Sequence, residues 1–146
     1  MALEEYVQLK LEGQLCFPLY VASKEIIRKY KPYLEDLDLT YTQYIAMMVL
    51  WEKGQVNVKE LGASLFLDSG TLTPLLKKLE GKGYITRNRS KLDERNLDVV
   101  ITEEGEALKE KASKIPYAIA KQVHLSPEEA GQLYRLLYKF LASMEL

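Results

Sequence analysis

The sequence predicts a mainly α-helical chain carrying one small β-hairpin, and three observations lead there. Residues that cap helix N-termini recur ahead of apolar stretches, at Thr40, Asn57, Asp68, Thr102 and Ser126. Leu72, Leu75, Leu76 and Leu79 fall at the i, i+3, i+4, i+7 spacing of a single helical stripe. Tyr84 to Arg89 and Asn96 to Ile101 are rich in β-branched and aromatic residues and flank the polar connection Ser90 to Arg95, as two paired strands would.

In chain order, the first element is a long helix with an apolar face of Leu19, Ile26, Ile27, Tyr30 and Leu34. Pro18 cannot donate to the carbonyl of Gln14, so this helix either starts near Cys16-Phe17 or bends there. Thr40 and Gln43 have capping-box spacing ahead of the apolar run Tyr44 to Trp51, with Gly54 as the residue that closes the helix. Asn57 and Glu60 repeat that spacing and open a short helix through Leu61 and Leu65. Asp68 and Ser69 offer caps for the next helix, which stops at Gly81 or Gly83. Pro74 lacks a backbone donor and belongs near a first turn, so regular helix is expected from about Gly70 or Thr71. After the hairpin, Thr102 caps a helix opening with Glu103-Glu104, acids suited to the positive end of a helix dipole. Ser126-Pro127-Glu128-Glu129 supplies a cap, a proline at the first helical position and a capping-box acid. The order is therefore a long N-terminal helix, three shorter helices, a hairpin and two C-terminal helices.

Helix, helix, hairpin is the order of a winged helix-turn-helix, in which the second helix enters the major groove and the hairpin reaches the backbone or minor groove. The helix faces agree. The leucine stripe goes to the core, and the opposite arc presents Gly70, Thr73, Pro74, Lys77 and Lys78, with Thr71 on its flank. Small hydroxyl residues can approach base edges and phosphates, and the lysines can neutralise phosphates.

Net charge is only −1 over 146 residues, but it is unevenly distributed. Between positions 76 and 95, Lys77, Lys78, Lys82, Arg87, Arg89, Lys91 and Arg95 face only Glu80, Asp93 and Glu94, seven positive against three negative, a local +4 on a remainder of −5. Such a field suits a phosphate-facing surface, although an ordinary solvated face gives the same cluster.

Hydrophobic residues make up 47% and charged residues 28% of the chain, a globular balance with no run long enough to cross a bilayer. The acidic N-terminus lacks the basic and apolar pattern of a secretory signal, and the single cysteine fits a reducing compartment, so a cytoplasmic location is expected. One cysteine and one histidine, His124, distant in sequence, do not make a metal site; no nucleophile–base set or nucleotide motif is visible, and neither metal, cofactor nor enzymatic activity is expected. The first helix and the last, with Leu133, Leu136, Leu137, Phe140 and Met144, expose more apolar surface than one small domain can bury, which predicts a homodimer.

Leu67 to Glu80 resembles the recognition helix of the MarR family of bacterial regulators, and Asp93-Glu94-Arg95-Asn96 followed by Ile101-Thr102-Glu103-Glu104-Gly105 resembles that family's wing. Gln14-Leu15-Cys16-Phe17-Pro18-Leu19-Tyr20, Lys29-Tyr30-Lys31-Pro32 and Leu39 to Tyr44 are similar to the sensor segments of its one-cysteine organic hydroperoxide resistance regulators. The resemblance implies a single domain over 1–146, with residues 40–101 as the DNA-binding part and 1–36 and 103–146 as helical dimerisation parts. It implies a repressor that binds a pseudo-palindromic double-stranded operator when reduced and releases it on oxidation. Cys16 would be the reactive thiol, and Tyr30 and Tyr41 would hydrogen-bond its thiolate across the dimer interface, with Tyr20 close by. Ser69, Thr71, Thr73, Pro74, Lys77 and Lys78 would face DNA from the helix, and Arg87, Arg89, Lys91, Asp93 and Arg95 from the wing. Arg95 would reach the minor groove, held by Asp93.

Taken by itself, a lone cysteine in an apolar stretch is more often a small buried hydrophobe than a sensor. A sensor needs a stabilised thiolate, and with no adjacent cation that falls to hydroxyl donors or to a helix start at Cys16. Oxidation would pass through sulfenic acid, and with no second cysteine the next step is a mixed disulfide with a small cellular thiol; an intersubunit Cys16 link is the less favoured route. Two other readings stay open: a regulator governed by a phenolic or lipophilic ligand in the dimer cleft, and a thiol peroxidase using Cys16.

Overall fold

The computed structural model describes residues 5–93 and 95–146; Met1 to Glu4 and Glu94, the last belonging to the expected wing connection, lie outside the described residues. The backbone forms two compact units, Met1–Tyr41 and Thr42–Leu146.

In the first unit, two 3-10 turns, Val7–Leu9 and Leu11–Gly13, precede α1 (Cys16–Glu35). The Gln14 amide donates to the carbonyls of Gln8 and Lys10, 2.8 Å each, and ties the turns together. The choice left open by Pro18 resolves as a helix start. Cys16 is the first residue of α1 and Pro18 the third, where a backbone N–H has no intrahelical acceptor and proline loses nothing.

The second unit contains nearly all of α2 (Tyr41–Lys53), then β1 (Gln55–Asn57), α3 (Val58–Leu65), α4 (Ser69–Gly81), β2 (Ile85–Arg89), β3 (Leu97–Ile101), α5 (Glu103–Ala107), α6 (Lys109–Ala112), α7 (Ile115–Ala120) and α8 (Pro127–Ser143). Met47, Leu50, Leu61, Leu79, Ile85 and Val99 are wholly buried. The leucine stripe of α4 points inward as its spacing demands, with Leu72, Leu75, Leu76 and Leu79 only 1%, 6%, 1% and 0% exposed. Four of the predicted caps form: Asn57 accepts the N–H of Glu60, Asp68 that of Thr71 at 2.7 Å, and Thr102 that of Gly105. Ser126 and Glu129 make the reciprocal capping box.

Three details differ from the sequence expectation. The hairpin is part of a three-stranded antiparallel sheet, order β1-β3-β2, because Gln55–Asn57 pairs with Asp98–Val100. Only Val56 of β1 is buried, too short a pattern to mark a strand. Helix α4 starts at Ser69 rather than Gly70 or Thr71 and carries Pro74 as its sixth residue, at the cost of one bond to the carbonyl of exposed Gly70. The first C-terminal helix is broken into α5, α6 and α7. Pro116 cannot donate to Ala112, and the chain turns at Ser113-Lys114 before α7.

No residue of α8 is buried, and Leu133 and Leu136 are 46% and 63% exposed. No helix among the described residues is long and apolar enough to cross a membrane.

Candidate DNA interface and sensor segment

The outward face of α4 follows from the inward one. With the leucines buried, Ser69, Gly70, Thr71, Pro74, Lys77 and Lys78 are exposed and Thr73 is half-buried. Asp68 satisfies the Thr71 N–H and fixes the first turn, the part of a recognition helix that meets base edges. No described acidic side chain pairs with Lys77 or Lys78, so both ammonium groups are available to phosphates.

β2 and β3 pair from Ile85↔Ile101 to Arg89↔Leu97. Beyond them the Ser90 N–H donates to the Asn96 carbonyl at 2.8 Å, and Asn96 N–H to the Asp93 carbonyl at 3.0 Å. Asp93 bonds the backbone N–H of Arg95 at 3.0 Å, so it shapes the tip rather than gripping the guanidinium. Arg89, Lys91 and Arg95 are exposed. Arg95, Asn96 and Leu97 face Lys59, Ser69 and Leu72 across a groove of about 310 Å³, which places the wing arginine beside the start of the recognition helix.

Arg87 departs from the DNA-facing set. Its Nη2 and Nε donate to one carboxylate oxygen of Glu80 at 3.0 and 3.3 Å, and its backbone N–H to the other at 3.0 Å. Its side chain is 19% exposed, so this guanidinium is occupied inside the protein. Arg87 holds the Glu80 carboxyl below the usual carboxylate range, chiefly through that hydrogen bond. Sequence reasoning missed Glu80; its one signal was an acid set among lysines and arginines. Lys82, counted in the basic field, donates to the buried Gln43 at 3.1 Å.

In the first unit, Cys16 is exposed at the start of α1, where the positive end of the helix dipole lies. Tyr20 stands one turn further on, with Lys24 Nζ 5.4 Å from its ring centroid. Tyr30 and Tyr41 meet edge-to-face with centroids 5.1 Å apart. Burial pushes both phenols up, and Tyr41 adds to the rise at Tyr30, so at neutral pH both keep their protons and can donate. A cavity of about 590 Å³ adjoins them, with an apolar lining of Ile27, Leu34 and Leu39 and a rim of mixed charge, Lys24, Arg28 and Lys31 with Glu25 and Glu35. Cys16 and Tyr30 lie on one helix, fourteen residues or about 21 Å of axial rise apart, so a chain's tyrosine pair cannot touch its own thiol.

A buried leucine stripe behind an exposed threonine–lysine face, followed by a hairpin with exposed cations, defines a winged helix-turn-helix of the DNA-binding class. Residues 28–112, more than half of the chain, match the family described as transcriptional regulator SarA/Rot. The chain is 47% identical over 140 residues to the organic hydroperoxide resistance transcriptional regulator of Bacillus subtilis, covering 96% of this chain and 95% of that protein. It is 50% identical over 131 residues to the regulator SarZ of Staphylococcus saprophyticus, covering 90% of each. Reduced AbfR of Staphylococcus epidermidis bound to DNA superposes with a TM-score of 0.79 at 30% identity, over 97% of this chain and 99% of that one. The protein belongs to the SarA/Rot transcriptional regulators, winged-helix proteins of the MarR type.

Proposed function

We propose that the protein works as a homodimer that holds a pseudo-palindromic operator while reduced and lets go when an organic hydroperoxide oxidises Cys16. The observation that carries this reading is the separation along α1 of Cys16 from Tyr30, against which Tyr41 packs. Donor phenols near a thiolate are useful only if they meet it, and here that requires a second chain. Cys16 of the partner subunit would then sit against the Tyr30–Tyr41 pair, which supports both a dimer and a sensor built at its interface. The uncovered apolar face of α8 supports the dimer independently.

The chemistry balances without a cofactor. The Cys16 thiolate attacks the distal peroxide oxygen; the O–O bond breaks, the alkoxide leaves and takes up a proton as alcohol, and the sulfur becomes sulfenic acid. A small cellular thiol then displaces water and leaves a mixed disulfide. AbfR has been captured on DNA both reduced and overoxidized, and solved separately as a disulfide. We therefore assign release to the bulky disulfide rather than to higher acids of sulfur. Each subunit docks one recognition helix in a half-site about one helical turn from the other, so a small change of spacing costs much affinity.

The cavity beside Tyr41 favours a second reading, in which a small phenolic or lipophilic compound seated on its apolar lining governs DNA binding without oxidation. Release of operator by such a compound from Cys16→Ser protein would mark that route.

A heterodimer tests the shared sensor. Tyr30→Phe/Tyr41→Phe protein should react with hydroperoxide roughly tenfold more slowly at Cys16 than wild type, through loss of hydrogen bonds to the thiolate. Mixed with Cys16→Ser chains, each heterodimer retains one Cys16 facing unaltered tyrosines and should react at the wild-type rate per cysteine. A heterodimer as slow as the tyrosine variant would show that thiol and phenols belong to one chain, and would sink the proposal.

A further inference from the structure

We propose that Glu80 is a positioning residue for operator recognition: it fixes the wing to the recognition helix, so that both reach their grooves in a set relation, without touching DNA itself. The inference rests on the reading that the wing contacts DNA beside α4.

Glu80 occupies the last turn of α4, where a carboxylate faces the negative end of the helix dipole and borders the surface that meets phosphates. On both counts an acid is unfavourable there. Arg87 accounts for its presence. In the order β1-β3-β2, strand β2 has an open edge, and an N–H on such an edge has no strand acceptor. Arg87 pairs with Val99 of β3, and its backbone N–H goes to Glu80 at 3.0 Å. The second Glu80 oxygen takes Nη2 and Nε of the same residue at 3.0 and 3.3 Å. One carboxylate therefore binds both the backbone and the side chain of a single wing residue. The covalent link from α4 to β2 is only Lys82, Gly83 and Tyr84, with Gly83 at φ 82°. Two backbone bonds cap the helix across this link, Gly83 N–H to the Glu80 carbonyl at 3.0 Å and Tyr84 N–H to the Leu79 carbonyl at 3.1 Å, but they stop at Tyr84; the Glu80 carboxylate carries the tie three residues further along the strand, to Arg87. Arg95, two residues before β3, is carried on this hairpin.

A merely stabilising ion pair and a positioning one separate in a double-mutant cycle between Glu80 and Arg95, residues with no contact between them. Wild type, Glu80→Ala, Arg95→Ala and the double variant are titrated against operator DNA by fluorescence anisotropy, with folding checked by circular dichroism. Each single change should weaken binding roughly tenfold, and the double variant should be little weaker than either, because a misplaced wing has no Arg95 contact left to lose. Losses that multiply, to roughly a hundredfold, would overturn the proposal. An Arg95→Ala protein with wild-type affinity would overturn it too, by removing the wing contact on which it rests. Should Glu80→Ala not fold, Glu80→Gln takes its place in the same cycle, keeping an acceptor for the Arg87 N–H but loosening the guanidinium. Non-multiplying losses again support positioning, and multiplying ones again overturn it.

Discussion

Gly105→Ala is expected to destabilise the protein by about 3 kcal/mol, the upper range for forcing atoms into a packed site. Gly105 is buried in the first turn of α5, at a junction of four elements. Its N–H donates to Thr102, and its carbonyl accepts the Trp51 indole N–H at 2.9 Å. Thr102 in turn donates its hydroxyl to the Gly83 carbonyl at 2.6 Å and its N–H to the Tyr84 carbonyl at 3.1 Å. A Cβ on Gly105 would fall inside contact distance of that Tyr84 carbonyl and 2.9 Å from Ile101 Cγ1. Backbone cannot swing aside as a flexible side chain can, so the base of the wing must shift. Chemical denaturation at fixed chain concentration measures the effect, the concentration being held because the proposed dimerisation would contribute to stability. A loss below about 0.5 kcal/mol would mean that the junction is looser than its hydrogen bonds imply.

The second large effect falls on DNA binding. Lys77→Ala/Lys78→Ala should cost about three orders of magnitude in operator affinity near 0.1 M salt. Each lysine that neutralises a phosphate contributes about 0.9 to the slope of log K against log salt, and the proposed homodimer loses four such contacts in the double variant. The slope should therefore fall by about 3.6. Non-operator DNA should lose the same factor, since phosphate contacts position the protein without reading sequence. An unchanged slope would remove both lysines from the interface. Core packing is not at risk, because both side chains are exposed while the neighbouring leucines are buried.

Much of the fold was legible in the residues. Leu72 to Leu79 announce a helix and its buried face through their spacing alone, and Asp68, Thr102 and Ser126 mark helix starts because few side chains can accept an N-terminal N–H. The hairpin was visible in its β-branched runs. Strand β1 was not, since three residues with one buried valine carry no period, and its partner Asp98–Val100 lies far along the chain. The break of the first C-terminal helix was written in Pro116, yet a proline near a helix start reads the same as one inside it. At the DNA face, the basic field was visible in the sequence, but not which of its cations were occupied. Arg87 and Lys82 are engaged by Glu80 and Gln43, contacts fixed by the fold and not by proximity in sequence. The proposed sensor shows the same limit. Cys16 and its tyrosines are recognisable as residue types, but helical spacing separates them within a chain, and only a second subunit could bring them together.

If oxidation of Cys16 governs possession of the operator, a three-way titration shows it most directly. Operator binding is measured for reduced protein, for protein treated with an organic hydroperoxide and then a small thiol, and for Cys16→Ser given the same treatment. Reduced wild type and treated Cys16→Ser should bind alike, while treated wild type should bind roughly a hundredfold or more weaker and regain its affinity on reduction. Full release of treated Cys16→Ser protein, or undiminished binding by wild type carrying the mixed disulfide, would contradict a switch at this thiol.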